Sequence, residues 1–272
     1  MEINNQLITI LQEIKRQKPL VHHITNYVTV NDCANIVLAL GGSPVMADDQ
    51  DEVEEMVSIA SALVLNIGTL NKRSMESFLI AGKKANEIGV PVILDPVGVG
   101  ATNLRNEIVR RILKNVKLSV LRGNMSEIKN IYGIAASTKG VDSIDNPLDG
   151  GKEIALELAK RLQCTVVITG AVDIISDGGT VYYINNGHEM LTNITGTGCM
   201  SSSLIGLCCG TGKGSLHGAI AGMMIMGIAG EKAQSRLKEY EGLGSFKVYL
   251  MDAISKFSIE DIQERGKVNE IK

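Results

Sequence analysis

Apolar positions along this chain fall into two alternating patterns, short continuous runs and stripes at helical spacing. The first stripe, Ile3, Leu7, Ile10, Leu11 and Ile14, predicts an amphipathic helix rather than a leader peptide. Residues 20–24 form an apolar run; a helical pattern over 31–40 then stops at Gly41 and Gly42, and SPVM (43–46) reads as a short strand or turn. A short helix over 52–58 leads to ALVLNI (62–67), a continuous apolar run of the kind buried on both faces of a parallel sheet. The unit repeats as helix 72–88, strand 91–95, helix 103–114, strand 118–121 and a helix from about Met125. Such alternation implies right-handed crossovers and an α/β fold, a mostly parallel central sheet with helices on both faces.

Further on the rhythm changes. Residues 134–151 are rich in Gly, Asp, Asn, Ser and Pro and read as a long surface loop before a helix at 152–162 and the strand CTVVIT (164–169). Then ISDG, TVYYIN and HEML form short alternating runs between Gly turns, as in an antiparallel hairpin region at the sheet edge. From Gly198 to Phe257 the chain reads as mostly helical. Its apolar segment 218–230 is too short for the roughly 20 residues that span a bilayer, and the polar tail after it is expected to fray. No repeat or linker divides the chain, so residues 1–272 are expected to form one domain.

Composition narrows the function. With 27 basic and 30 acidic residues nothing favours nucleic acid or an anionic membrane, and a small-molecule role is the default. Hydrophobic content of 44% without Trp calls for an aliphatic core. The five Cys lack C-x-x-C spacing, so reduced thiols in a cytoplasmic protein are expected. His22 and His23 have no metal-spaced partner and are expected to pack in the core or sit at the surface.

Candidate chemistry lies where strands end, because ligands of open parallel sheets bind outside their carboxyl ends. Those ends read Asn66-Ile67-Gly68-Thr69, Asp95-Pro96-Val97-Gly98, Leu121-Arg122-Gly123-Asn124 and Thr169-Gly170. Asp95 either caps its own turn or faces a hard cation or phosphate. Arg122, directly after an apolar run, needs a carboxylate or an anionic ligand. Asn124 and Glu127 have the spacing of a capping box, and Glu127 can also join Asp95 around Mg²⁺. The stretch NITGTGCMSSS (193–203) runs a glycine turn into an apolar helix. There Gly196 and Gly198 are free to adopt positive φ and let backbone N–H groups gather on an anion, with Cys199 in the first turn. No Walker lysine, kinase D-F-G or helix-opening G-x-G-x-x-G is present.

Six segments, VHHITNYVTVNDCANIVLALGGSPVM (21–46), LNIGTL (65–70), PVILDPVGVGAT (91–102), LRGNMSEI (121–128), VITGAVD (167–173) and NITGTGCMSSS, together resemble the hydroxyethylthiazole kinase family of the ribokinase-like superfamily. They keep that family's order and spacing over most of the chain. The resemblance implies a ribokinase-like fold and transfer of the ATP γ-phosphoryl group to the hydroxyl of 4-methyl-5-(2-hydroxyethyl)thiazole in thiamine salvage. It implies a thiazole pocket lined by Asn26, Met46, Gly68 and Gly196, phosphate contacts from Arg122 and Thr169, and a magnesium ion organised by Asp95 and Glu127. It also implies a homotrimer with active sites between subunits, where Asn26 and Met46 complete a site of their own or a neighbour's. Where the wider superfamily carries G-x-G-D, this chain has GTGC, so Gly198 and Cys199 stand at the position of the catalytic turn and its base. A kinase for another small ring alcohol, or a sensor that binds without turnover, remains the alternative.

Overall fold

The computed structural model describes residues 2–135 and 147–271. Its first half alternates strand and helix: α1 (Glu2–Gln17), β1 (Leu20–Ile24), α2 (Val30–Leu40), β2 (Ser43–Met46), α3 (Val53–Ile59), β3 (Ala62–Asn66), α4 (Lys72–Ile88), β4 (Val92–Asp95), α5 (Asn103–Asn115), β5 (Val120–Asn124) and α6 (Met125–Ala135). After the segment 136–146, outside the described residues, come α7 (Pro147–Leu162), β6 (Thr165–Thr169), β7 (Asp173–Ser176) and β8 (Val181–Ile184). A 3₁₀ turn (Glu189–Asn193) then leads into α8 (Thr197–Cys209), α9 (Ser215–Arg236), α10 (Leu243–Ser255), α11 (Ile259–Arg265) and β9 (Val268–Ile271).

The strands form one sheet in the order β2-β1-β3-β4-β5-β6-β7-β8-β9. Pairing is parallel from β2 to β6 and antiparallel from β6 to β9. Side chains from α1, α2, α8, α9 and α10 make one core, with Ile36, Leu204, Ile225 and Phe246 at its centre. Those from α3 to α7 make the other, around Phe78, Leu94 and Ile112. Because the central strands are covered on both faces, β3 and β4 are buried at every position, which is why their sequences are continuous apolar runs.

Helices α8 and α9 touch backbone to backbone. A Cβ at Gly222 would lie 2.7 Å from the Ile205 backbone nitrogen, a distance real Cβ atoms do not tolerate. Gly222→Ala therefore forces the helices apart and is expected to cost ~1–3 kcal/mol. A lower urea midpoint at unchanged slope is the readout.

Of the two places open to the consecutive histidines, core or surface, both take the core. His22 Nε2 meets the Ala47 carbonyl at 2.7 Å; His23 Nδ1 meets Val21 O at 3.0 Å and its Nε2 meets Ser203 Oγ at 3.1 Å. Burial pushes His23 down from 6.5 to about 4, and pushes His22 down in the same sense. The unfolded chain thus binds a proton between pH 6.5 and 4 that the folded chain refuses, and stability drops as pH falls through that window. For His23 the loss is ~3 kcal/mol. Urea midpoints at pH 7 and pH 4.5 check this, and His23→Gln is expected to remove most of the difference.

Four readings of the sequence are corrected. The loop expected over 134–151 is helical at both ends, since α6 runs to Ala135 and α7 begins at Pro147, where proline suits a first helical position. HEML forms part of the 3₁₀ turn rather than a strand, because His188 Nδ1 accepts the Met190 N–H at 3.2 Å and caps it. The strand expected at 118–121 lies at Val120–Asn124, so Arg122 sits inside β5, paired with Val167, rather than after it. The tail does not fray. The Ser258 N–H donates to Asp261 at 3.1 Å and Lys232 pairs with Asp261 at 2.7 Å, which anchors α11, and β9 then covers the otherwise open edge of β8.

Candidate active site

The carboxyl ends of β1, β3, β4, β5 and β6 converge on the start of α8. Helix α8 packs on β1, β3 and β4, and Gly196 caps it with φ +91°; a Cβ there would meet Thr29 Cγ2 at 2.7 Å. The first bond within the helix is Met200 N–H to Gly196 O at 2.8 Å. The N–H groups of Thr197, Gly198 and Cys199 are therefore left for a ligand, at the positive end of the helix dipole. Gly198 does not take the positive φ expected of it: it is helical. Its missing side chain serves close approach instead, since a Cβ would lie 2.8 Å from Arg122 Nη1.

Cys199 faces two amides. Asn26 Nδ2 donates to its Sγ at 3.1 Å and Asn66 Nδ2 at 3.3 Å. Backbone groups set the direction of both amides: Thr29 N–H donates to Asn26 Oδ1 at 3.1 Å, and Gly68 N–H donates to Asn66 Oδ1 at 2.9 Å. The two NH₂ groups are thereby turned to the sulfur, which acts as an acceptor. Burial, and then the charge of Asp95, push the Cys199 thiol up, so at neutral pH it rests as a thiol.

Asp95 is fully buried. Its Oδ2 accepts from Asn66 Nδ2 and from Ser202 Oγ, both at 2.8 Å. Among the described residues its Oδ1 has no hydrogen-bond partner, and it lies 3.6 Å from Arg122 Nη1. Burial pushes the Asp95 carboxyl up, and Arg122 pulls against that. Arg122 Nη2 also donates to Thr169 Oγ1 at 3.2 Å. Glu127 and Asn124 make the reciprocal capping box, with Asn124 N–H to Oε2 at 2.8 Å and Glu127 N–H to Asn124 Oδ1 at 2.9 Å; Glu127 Oε1 also accepts the Gly98 N–H at 2.9 Å.

Two cavities flank this cluster. One, of about 320 Å³, is walled by Asn26, Val28, Thr29, Gly68, Asp95, Val97, Thr195, Gly196 and Cys199. The other, of about 520 Å³, is walled by Asn124, Thr169, Gly170, Asp173, Asn186, His188, Ser201 and Met226, among others. Arg122 and Gly198 belong to both walls. Burial pushes Asp173 up to about 6, so the larger cavity gains a negative charge as pH rises past that value.

The expected residues Asn26, Gly68, Asp95, Arg122, Thr169, Gly196, Gly198 and Cys199 thus line this pair of cavities. Glu127 stands behind the wall, holding the loop after β4. Met46, at the end of β2 opposite His23, is half-buried and outside both cavities of this chain. Thr29, Ser202 and Asp173 escaped the sequence reading, and Asn66 stood out there only as the residue ending a strand, with no role. Ser202 had a signal, since three residues after Cys199 on a helix it shares that residue's face. Among the described residues no three His, Cys, Asp or Glu side chains are grouped to hold a metal by themselves, and no helix is long and apolar enough to cross a membrane.

A mostly parallel sheet covered by helices on both faces, with a helix start open to a ligand between two cavities, is a fold shared with ribokinase-like proteins. A ribokinase-like superfamily protein from Enterococcus faecalis V583 superposes with a TM-score of 0.62 over 91% of this chain and 94% of its own, at 12% identity, a likeness of fold. More specifically, the chain belongs to the hydroxyethylthiazole kinase family, whose profile matches residues 11–260. It is 73% identical over 271 residues, 100% of both chains, to hydroxyethylthiazole kinase of Alkaliphilus oremlandii (strain OhILAs). It also superposes on the structure of hydroxyethylthiazole kinase from Pyrococcus horikoshii OT3 with a TM-score of 0.90, at 38% identity over 98% of this chain and 99% of that one. The chain is a kinase, a phosphotransferase.

Proposed function

We propose that this chain transfers the γ-phosphoryl group of ATP to the hydroxyl of 4-methyl-5-(2-hydroxyethyl)thiazole, a step of thiamine salvage, with residues 1–272 acting as one kinase domain in the cytoplasm. The observation that carries this reading is the shared wall: Arg122 and Gly198 border both cavities, so a group passing between them crosses the start of α8. The smaller cavity takes the alcohol, with Asn26, Gly68 and Gly196 against the ring. The larger takes ATP, with Arg122 and Thr169 on its phosphates.

Phosphoryl transfer has a loose transition state whose charge lies on the phosphoryl oxygens, so positioning and charge stabilisation do most of the work. The free N–H groups of α8 and the Arg122 guanidinium meet that charge. Cys199 Sγ accepts the alcohol's hydrogen bond; in its thiolate form, stabilised by the amides of Asn26 and Asn66, it takes the proton. Because the thiol is pushed up, the thiolate is the minor form, and kcat rises with pH on the alkaline side.

The donor set fits a magnesium ion. Asp95 Oδ1 is buried beside Arg122 with no hydrogen bond among the described residues, while both Glu127 oxygens already accept backbone N–H groups, so Asp95 would be the direct or water-bridged ligand and Glu127 an outer one. When bound, the ion neutralises charge on the ATP phosphates.

A homotrimer with sites completed between subunits fits two further observations. Met46 lies off this chain's cavities, and Tyr27 and Val28, in the loop that borders the smaller one, are 62% and 66% exposed. Coupled ADP release with Mg²⁺, ATP and the thiazole alcohol, run beside hydroxymethylpyrimidine and pyridoxal, tests the reading. Release with the thiazole alcohol is expected. Release only with another alcohol moves the substrate, and none with any alcohol leaves a binding protein.

A further inference from the structure

Arg105, in the first turn of α5, is a cation that spends itself on backbone. Among the described residues it has no carboxylate partner, and its guanidinium donates instead to three carbonyls. Nη1 reaches Ile67 O at 2.7 Å and also Val97 O, and Nη2 reaches Gly68 O at 2.9 Å. These carbonyls belong to two loops, one after β3 and one after β4. At their roots the loops are joined by Ile67 N–H to Asp95 O at 3.2 Å; farther out Arg105 joins them again, and Glu127 holds Gly98 from the far side. Each loop supplies a wall of the smaller cavity, Gly68 from one and Val97 from the other, while Arg105 itself lines neither cavity.

We infer that Arg105 is a positioning residue that sets the separation of the Gly68 and Val97 walls, and thereby which ring alcohols the smaller cavity admits. The inference rests on the assignment of that cavity to the alcohol. Nη1 alone meets one carbonyl from each loop and Nη2 adds a second from the loop after β3; the rigid guanidinium plane fixes all three directions together, which the rotatable donors of an ammonium on a flexible stem do not. Loss of the clamp leaves three carbonyls to find water and frees the walls to move, and displacement of a wall by about 1 Å is enough to cost 10²-fold in rate.

The test uses the full chain and its Arg105→Met and Arg105→Lys variants in two arms. In steady-state kinetics, Arg105→Met is expected to raise KM for the thiazole alcohol about 10-fold or more, leave KM for ATP within about 2-fold, and narrow the preference for the thiazole alcohol over pyridoxal. Arg105→Lys is expected to recover only part. In hydrogen exchange without substrate, amides of both loops are expected to exchange about 10-fold faster in Arg105→Met, with β8 and β9 unchanged. Equal changes in both KM values, or no change in either, overturn the inference, as does unaltered protection of the two loops. A wild-type chain that ignores the thiazole alcohol sinks the assignment of the cavity instead, and the exchange arm still decides whether the clamp exists.

Discussion

Arg122→Ala is expected to lower kcat/KM for ATP by about 10²–10³ while KM for the thiazole alcohol stays within a few-fold. Three roles are lost together: the cation proposed to face the phosphates, the donor to Thr169, and, among the described residues, the only cation within ion-pair reach of the buried Asp95. Breaking one half of a buried pair costs ~3–5 kcal/mol when the other half stays charged. Asp95 escapes part of that by taking up a proton, toward which burial already pushes it. The defect is therefore expected to deepen as pH falls, because a protonated Asp95 is a poor partner for the proposed magnesium ion and phosphates. Arg122→Lys keeps the charge without the fork and is expected to fall between the two. Steady-state kinetics with both substrates varied, beside a melting curve, read all of this, and a defect confined to the alcohol would place Arg122 on the wrong side of the wall.

Cys199→Ala is expected to lower kcat by about 10²-fold or more with little change in thiazole binding, within the range that general-base help supplies. The substitution also strands one N–H each of Asn26 and Asn66, which then turn to water or to the substrate. Binding measured by calorimetry separates that disturbance from loss of chemistry. The rise of kcat with pH expected of the wild type is expected to vanish. An unchanged kcat removes Cys199 from the base role.

Much of this architecture was legible before any coordinates. Continuous apolar runs at 62–67 and 91–95 announce strands buried on both faces, and the amphipathic helices between them leave few alternatives to a parallel sheet. Local signals failed where distant partners decide. Val268–Ile271 looks like a polar tail until β8 offers an edge, and a capped 3₁₀ turn at Glu189–Asn193 depends on one imidazole. The site divides in the same way. Asp95, Arg122 and Cys199 are conspicuous because charge or a thiol beside an apolar run demands a partner. Asn66 and Arg105 are not, since an asparagine ending a strand and an arginine opening a helix are ordinary. Their importance comes from hydrogen bonds to Cys199, Asp95 and the loop carbonyls across long stretches of chain.

Phosphorus NMR of the chain with Mg²⁺, ATP and 4-methyl-5-(2-hydroxyethyl)thiazole follows the phosphoryl group from ATP to its acceptor. A phosphate monoester resonance is expected to grow in step with ADP, with the label on the new ester when the γ-phosphate of ATP is isotopically marked. ADP accompanied by inorganic phosphate, or no ADP at all, contradicts it, because the shared wall of Arg122 and Gly198 would then pass nothing from one cavity to the other.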